Sequence, residues 1–322
     1  MMNLGMKIKT KKETIDNECD LAICIPTFAR PSNLKSRLNE INDSNLNDVP
    51  IYVYENSQTD DYQDAINSIG GLNVIHYTAA HNMGVERNLI RCYEETSSNW
   101  IWICGDDDPI HDGSIELLRE SVTLAENQGC SFVLFGGNRE KINSSFMLAN
   151  SIDDIIDKFE FFDALLISNI VVNKKIFNEY IQLYCQSSFS MCPHLVVLLT
   201  MIGDGHKFLI DNRRLVGDSE AVISWSRLAL LERSLSFLQF FSTHQKTCEW
   251  FSRYWCMRYA LHRPKNKPEK RRKKISRLCF EAAAIPRIGF VRCKYIELIS
   301  NLEYRYLSPV KKRFSNLHKR RL

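Results

Sequence analysis

Three consecutive carboxylates, Asp106, Asp107 and Asp108, stand in the stretch NWIWICGDDDPIHD (99–112), directly after an apolar run and just before a proline. Adjacent carboxylates repel one another, and a divalent cation relieves that repulsion. Mg2+ and Mn2+ accept hard oxygen ligands and leave positions open for phosphate. The chemistry the triplet could do is therefore metal-assisted handling of a phosphorylated ligand. Asp is also a turn and N-cap residue, so a solvated turn leading into the next helix is the competing reading.

The elements around the triplet decide what it can meet. Trp100 to Cys104 read as a buried strand, because Trp and Ile favour a pleated, packed setting. Upstream, LAICIP (21–26) and VPIYVYEN (49–56) read as strands, as does LNVIHYT (72–78). Each is followed by a polar loop and a helical pattern: about Leu34 to Ile41, Tyr62 to Ile69, and AAHNMGVERN through Glu94. Downstream, 112–127 reads as a helix capped by Asp112 or Ser114. CSFVLFGGN (130–138) and HKFLIDN (206–212) read as strands, and PHLVVLLTMIGDG (193–205) as a buried helix. FFDALLISNIVVNKKIF (161–177) has no clear period. Strand–loop–helix alternation implies an α/β fold with a Rossmann-like, mostly parallel sheet flanked by helices. Ligands of such sheets bind beyond the strand carboxyl ends. The polar clusters at 26–30, 55–60 and 105–108 all fall there.

Composition bounds the rest. The 322 residues are 44% hydrophobic, enough for a packed core, and the 11 cysteines include no CxxC pair. An odd cysteine count without metal-type spacing points to a reducing compartment rather than a disulfide scaffold. The opening residues lack a secretory h-region, and no apolar run reaches membrane-spanning length, so a cytoplasmic protein is expected. The net charge of +4 conceals an asymmetry: residues 251–322 hold 21 of the 42 Lys and Arg but 4 of the 38 Asp and Glu, leaving +17 there and −13 before it. The expected organisation is a flexible arm (1–19), an α/β domain (20–227) and a helical, basic C-terminal region (228–322). That region is aromatic-rich, which suits peripheral contact with an anionic membrane at the inner face of the cytoplasmic membrane; a helical appendage with solvated cations is the alternative. No nucleic-acid reading motif accompanies the charge.

The pieces ICIPTFARPSNL, YENSQTD, HNMGVERN and WICGDDDPIHDGSIELL, in that order over residues 21–120, resemble those of family 2-type (GT-A) glycosyltransferases. The pattern is closest to bacterial abequosyltransferase-like enzymes of O-antigen synthesis. The resemblance implies transfer of a sugar from a nucleotide-diphosphate donor to a hydroxyl of a glycan or lipid-linked acceptor, assisted by Mn2+ or Mg2+. It would place Pro26, Thr27 and Arg30 along the nucleotide pocket. Glu55 would stand where the family has an Asp bonded to the base, with Asn56 and Asp60 fixing its loop. Arg87 would lie near the base or diphosphate, and Asn88 near the ribose. Asp106 and Asp107 would face the donor, with Asp107 and Asp108 holding the metal. Gly105 replaces the first acid of the commoner D-x-D-D pattern. The family's downstream acid base has no secure counterpart: His194 falls near its position and could accept a proton, and it could equally be a cap or core residue. Asp163, Asp204 and Asp218 are weaker candidates. A nucleotidyltransferase, or a non-catalytic carbohydrate- or polyanion-binding protein, is the rival class. TFARPSN lacks the glycine-rich loop that the first of these needs.

Overall fold

The computed structural model describes residues 5–9, 20–44, 48–57, 61–136, 145–217, 227–261 and 267–302. They form two compact units. One comprises Met1–Phe159, Asp163–Cys185 and Val197–Val222; the other comprises Glu160–Phe162, Gln186–Val196 and Ile223–Leu322.

The first unit is built on one nine-stranded sheet. In chain order its strands are β1 (Gly5–Lys9), β2 (Leu21–Thr27), β3 (Ile51–Glu55), β4 (Val74–Ala79), β5 (Trp100–Ile103), β6 (Phe132–Phe135), β7 (Phe146–Ala149), β8 (Ile170–Asn173) and β9 (Phe208–Asp211). Their order across the sheet is β1-β4-β3-β2-β5-β8-β6-β9-β7. The central four, β4, β3, β2 and β5, run parallel. β1 pairs antiparallel with β4, so Gly5–Lys9 correct the expectation of a loose arm over 1–19. GMKIK alternates apolar and basic residues, the period of a strand.

Alternation along the strands explains why both sheet faces are covered. Leu21, Ile23, Ile25, Ile51 and Val53 join the core with Leu34, Leu38 and Ile41 of helix α1 (Pro31–Asp43). The intervening Cys24, Tyr52 and Tyr54 point the other way. Their polar atoms meet Thr96 and Ser97, just past α3 (Gly84–Glu95). Helix α2 (Asp61–Asn67) packs against α1, and α4 (Ser114–Asn127) packs on β6 and β9. Helix α4 is capped by Gly113, at φ 76°, and not by the expected Asp112 or Ser114, whose hydroxyl donates to the Leu215 carbonyl at 2.8 Å.

Two features of connectivity position the site. The chain runs β2, β3, β4 outward on one side and then returns to lay β5 on the other side of β2. That reversal opens a crevice at the carboxyl ends of β2 and β5. Second, the stretch without a clear period resolves into α6 (Phe161–Leu165), a 3-10 turn (Ile167–Asn169), β8 and α7 (Lys174–Glu179). Because β8 is antiparallel to β5, with Trp102 opposite Val171, its leading turn arrives beside the carboxyl end of β5. Trp102 fixes this register by donating its indole N–H to the Ser168 carbonyl at 2.9 Å.

Helix α5 (Ile152–Lys158) belongs to the first unit, whereas α8 (Ile181–Ser187) and α9 (Pro193–Gly203) each have residues in both units; α9 is almost wholly buried. The second unit holds α10 (Arg227–Ser234), α11 (Phe237–Phe240), α12 (Gln245–Leu261), α13 (Lys267–Ile288) and α14 (Phe290–Leu302). An aromatic cluster of Phe161, Phe237, Trp250, Phe251 and Tyr254 supports it. Every cysteine among the described residues is a free thiol, and no helix there is long and apolar enough to cross a membrane.

Trp102 is fully buried. Trp102→Ala is expected to destabilise the protein by about 3–5 kcal/mol in chemical denaturation, because it leaves a cavity and an unpaired carbonyl. Trp102→Phe loses the same hydrogen bond but less volume and is expected to lose less stability; equal losses would show that the filled volume contributes nothing.

Candidate active site

β2 ends at Thr27, and the chain then turns through Ala29, a non-glycine residue at φ 53°. Left-handed backbone is unfavourable for Ala and persists only where neighbours hold it. Tyr62 of α2 is one such neighbour: its hydroxyl oxygen accepts from Arg30 N at 2.7 Å and lies 3.1 Å from Thr27 Oγ1. Pro31 at the first turn of α1 fixes the exit.

This turn aims two side chains across the crevice. Thr27 Oγ1 donates to Asp106 Oδ2 at 2.7 Å, and Arg30 Nη1 reaches Asp106 Oδ1 at 3.0 Å and Asp107 Oδ2 at 3.1 Å. Asp108 is held from the other flank. Ser168 Oγ donates to Asp108 Oδ2 at 2.5 Å and accepts from Gly105 N at 3.0 Å. The triplet thus splits by environment: Asp106 and Asp108 are buried, and the Asp107 side chain is 35% exposed.

The electrostatics follow from that split. Burial pushes the Asp106 carboxyl above its ordinary value, opposed by the Thr27 hydrogen bond and the Arg30 charge. Burial likewise pushes Asp108 up, opposed by Ser168 and by Arg37, with Asp107 adding to the rise. Arg37 is itself buried. Its Nη2 pairs with Glu40 Oε1 at 2.6 Å, while Nε and Nη1 have no hydrogen-bond partner among the described residues. Glu40 also accepts from Ile110 N at 2.8 Å, tying α1 to the loop beyond the aspartates.

Gly105 has a steric reason. A Cβ there would stand 2.7 Å from Asp108 Oδ2, so an acid at this position is incompatible with the observed carboxylate placement. The glycine admits Asp108 and Ser168 to the same corner.

At the neighbouring strand end, Glu55 pairs in register with Thr27 and is buried. It accepts from Ser57 Oγ at 3.2 Å on Oε1, and on Oε2 from Thr78 Oγ1 at 3.2 Å with His76 Nε2 at 3.0 Å. Asn56 latches the loop before α3, accepting from Met83 N and donating to Asn82 Oδ1 and the Gly84 carbonyl. Asn88 is buried and donates to the Tyr54 carbonyl at 2.8 Å.

Of the residues singled out from sequence, Pro26, Thr27, Arg30, Glu55, Asn56 and Asp106 to Asp108 come together at adjacent strand ends. Arg87 does not. It pairs with Glu94 at 2.9 Å on the exposed side of α3, since residues seven apart share a helix face. The arginine that meets the acids is Arg30, and the buried arginine of α3 is Arg91, over the Tyr54 ring at 5.2 Å. His194 opens α9 within the second unit; it is buried and engaged with a neighbour. Asp163 and Asp204 are also engaged, the latter by the Tyr180 hydroxyl at 2.8 Å. Asp60 and Asp218 lie outside the described residues. Sequence reasoning missed Tyr62 and Ser168. The second had a weak signal, a polar ISN triplet leading into the apolar IVV.

The donor set fits a hard divalent cation held partly by its ligand. No group of three or more ligating side chains converges among the described residues. Asp107 and Asp108 offer two carboxylates at one mouth, and Mg2+ typically takes one or two carboxylates plus phosphate oxygens and water.

The corner is testable through stability. Ser168→Ala removes the only described donor to a buried carboxylate and is expected to cost about 1–3 kcal/mol. Gly105→Ala is expected to cost about the same by crowding Asp108. Wild-type denaturation midpoints for both variants would contradict the arrangement.

Comparison with known proteins agrees with this geometry. Residues 22–172 match the model of the family described as "Glycosyl transferase family 2". The abequosyltransferase RfbV of Salmonella typhimurium strain LT2 is 29% identical over 105 residues, spanning 31% of this chain and 31% of the relative, so the match covers about a third of that protein's length. The crystal structure of S. aureus TarS 1-349 in complex with UDP-GlcNAc superposes with a TM-score of 0.62 at 10% identity, covering 88% of this chain and 91% of that one. The crevice between β2 and β5 and its acid triplet lie within the matched residues. Residues 22–172 of this chain are thus similar to glycosyl transferase family 2, and the fold is the GT-A fold of TarS.

Proposed function

We propose that the protein transfers a sugar from a nucleotide-diphosphate donor to a hydroxyl of a glycan acceptor, lipid-linked, in the synthesis of a bacterial surface polysaccharide such as O-antigen or capsule. The observation that carries this is the convergence of Thr27, Arg30 and the three aspartates at the β2–β5 crevice, inside the family 2 domain. The similar RfbV is an abequosyltransferase, and TarS was solved with UDP-GlcNAc, which supports a nucleotide sugar as donor.

The chemistry is departure of a leaving group whose negative charge grows as the glycosidic bond breaks. Bound between Asp107 and Asp108, Mg2+ or Mn2+ would supply charge neutralisation at the diphosphate. The chain's own residues prepare that place. Ser168 keeps Asp108 in one rotamer, so its second oxygen is directed without reorganisation. Arg30 stands at the mouth with its guanidinium between Asp106 and Asp107, positioned to meet a phosphate. Glu55, fixed by His76, Thr78 and Ser57, gives the base end of the donor a rigid, polar wall next to Thr27. Asn56 and Asn88 act through the backbone they hold and are positioning residues. His194 is the assignable acceptor-side base only if its ring reaches the acceptor hydroxyl, and its burial lends that role no support. The basic C-terminal region would keep the enzyme at an anionic membrane surface, beside a lipid-linked acceptor.

Asp108→Ala is expected to lower transfer at least about a thousandfold while leaving the circular dichroism spectrum unchanged. Excess EDTA should do the same to the wild-type protein. Slow, Mn2+- or Mg2+-dependent release of nucleoside diphosphate across a panel of sugar nucleotides would identify the donor. Full activity of Asp108→Ala, or in EDTA, would refute metal-assisted departure.

A further inference from the structure

The cations of the C-terminal region divide into two groups. One group is committed within the second unit. Arg272 pairs with Glu232, Arg277 with Glu281 and Glu297, Arg292 with Glu249, and Lys294 with Glu281 and Glu297; Lys273 lies over the Tyr259 ring at 4.4 Å. The other group, Lys267, Lys270, Arg271 and Lys274, makes no ion pair among the described residues. Together these four line a shallow concavity of about 280 Å3 on the outside of α13.

Their spacing is not scattered. At 100° per residue, these four with Ile275 and Leu278 fall within an arc of roughly 140° on the helix. Ser276 and Phe280, both buried, fall opposite. Ile275 and Leu278 are 52% and 64% exposed. The solvent face of α13 therefore presents a row of unneutralised cations running into two large aliphatic side chains. A merely solvated face has no need of the aliphatic pair, and a packing face has no need of the cations.

We propose that this face of α13 docks on an anionic lipid bilayer. The four cations lie against headgroup phosphates, and Ile275 and Leu278 enter the boundary between headgroups and acyl chains. Charge complementarity selects the occupant: a file of long, flexible ammonium and guanidinium groups suits many dispersed phosphates, and the adjoining apolar residues suit what lies beneath them. A small phosphorylated solute or a nucleic acid would leave the aliphatic pair without a role. The proposal deepens the reading of a membrane-borne acceptor given above, and its test reads no activity, so either can fail without the other.

The test is flotation of the full-length protein with phosphatidylglycerol–phosphatidylcholine vesicles, against phosphatidylcholine alone, at low and high salt. Binding is expected with the anionic vesicles only, weakening as salt rises. Lys270→Glu with Lys274→Glu is expected to lower the partition coefficient at least about tenfold. Ile275→Ser with Leu278→Ser should weaken binding while leaving its salt dependence intact. Lys35→Glu, an exposed cation on α1, should change nothing, and matching thermal melts exclude misfolding. No flotation of the wild-type protein, or unchanged flotation of the Lys270/Lys274 variant, overturns the proposal. Release of the protein by inorganic phosphate, with the Ile275/Leu278 variant binding like wild type, would make this a phosphate site and overturn it too.

Discussion

Clustering negative charge at the end of a buried strand is costly, and the first unit is arranged to contain that cost. Each of the three carboxylates meets a different compensation. Asp106 is placed under Thr27 and Arg30, Asp108 against Ser168 with Arg37 beneath, and Asp107 is left toward water. Buried carboxylates without such partners would protonate or force the loop open. The compensation depends on strand adjacency. Thr27 can reach Asp106 only because β5 returns beside β2, and Ser168 can reach Asp108 only because β8 runs antiparallel to β5. The unusual order of strands and the polarity of one of them are thus tied to the electrostatics of a single corner.

The same logic accounts for residues that do not look chemical. Gly105 is there because the carboxylate of Asp108 occupies the volume that a side chain would fill. Ala29 adopts a left-handed turn because Tyr62 holds the backbone on its far side and brings the Arg30 guanidinium over the acids. Glu55, one strand further, is likewise less a free carboxylate than the centre of a closed set of donors. Rigid placement of charge before a ligand arrives is what the proposed departure of a diphosphate would require.

Much of this was legible in the sequence, for physical reasons. The parallel strands announce themselves because they are buried on both faces and read as unbroken apolar runs, as in LAICIP and WIWIC. The acids announce themselves because three in a row are rarely needed for solubility alone. What stayed hidden was set by tertiary neighbours. Arg87 and Arg30 are equally cationic, and only the turn at Ala29 decides that Arg30 meets the aspartates while Arg87 pairs along its own helix. The stretch 161–177 has no period because it packs a helix, a 3-10 turn, a strand and the start of another helix into seventeen positions, and Ser168 was lost with it. Gly5–Lys9 was obscured by its charges, whose alternation is visible only once an edge is known to be waiting.

The antiparallel arrival of β8 also has a temporal side. Asp108 and the serine that restrains it are 60 residues apart in sequence, whereas the parallel strands before them are laid down in succession. On the ribosome, the acid triplet therefore emerges well before its restraint has been translated. During that interval the end of β5 is hydrated and its aspartates repel one another freely, so the long-range closure that completes this corner belongs to a late stage of folding.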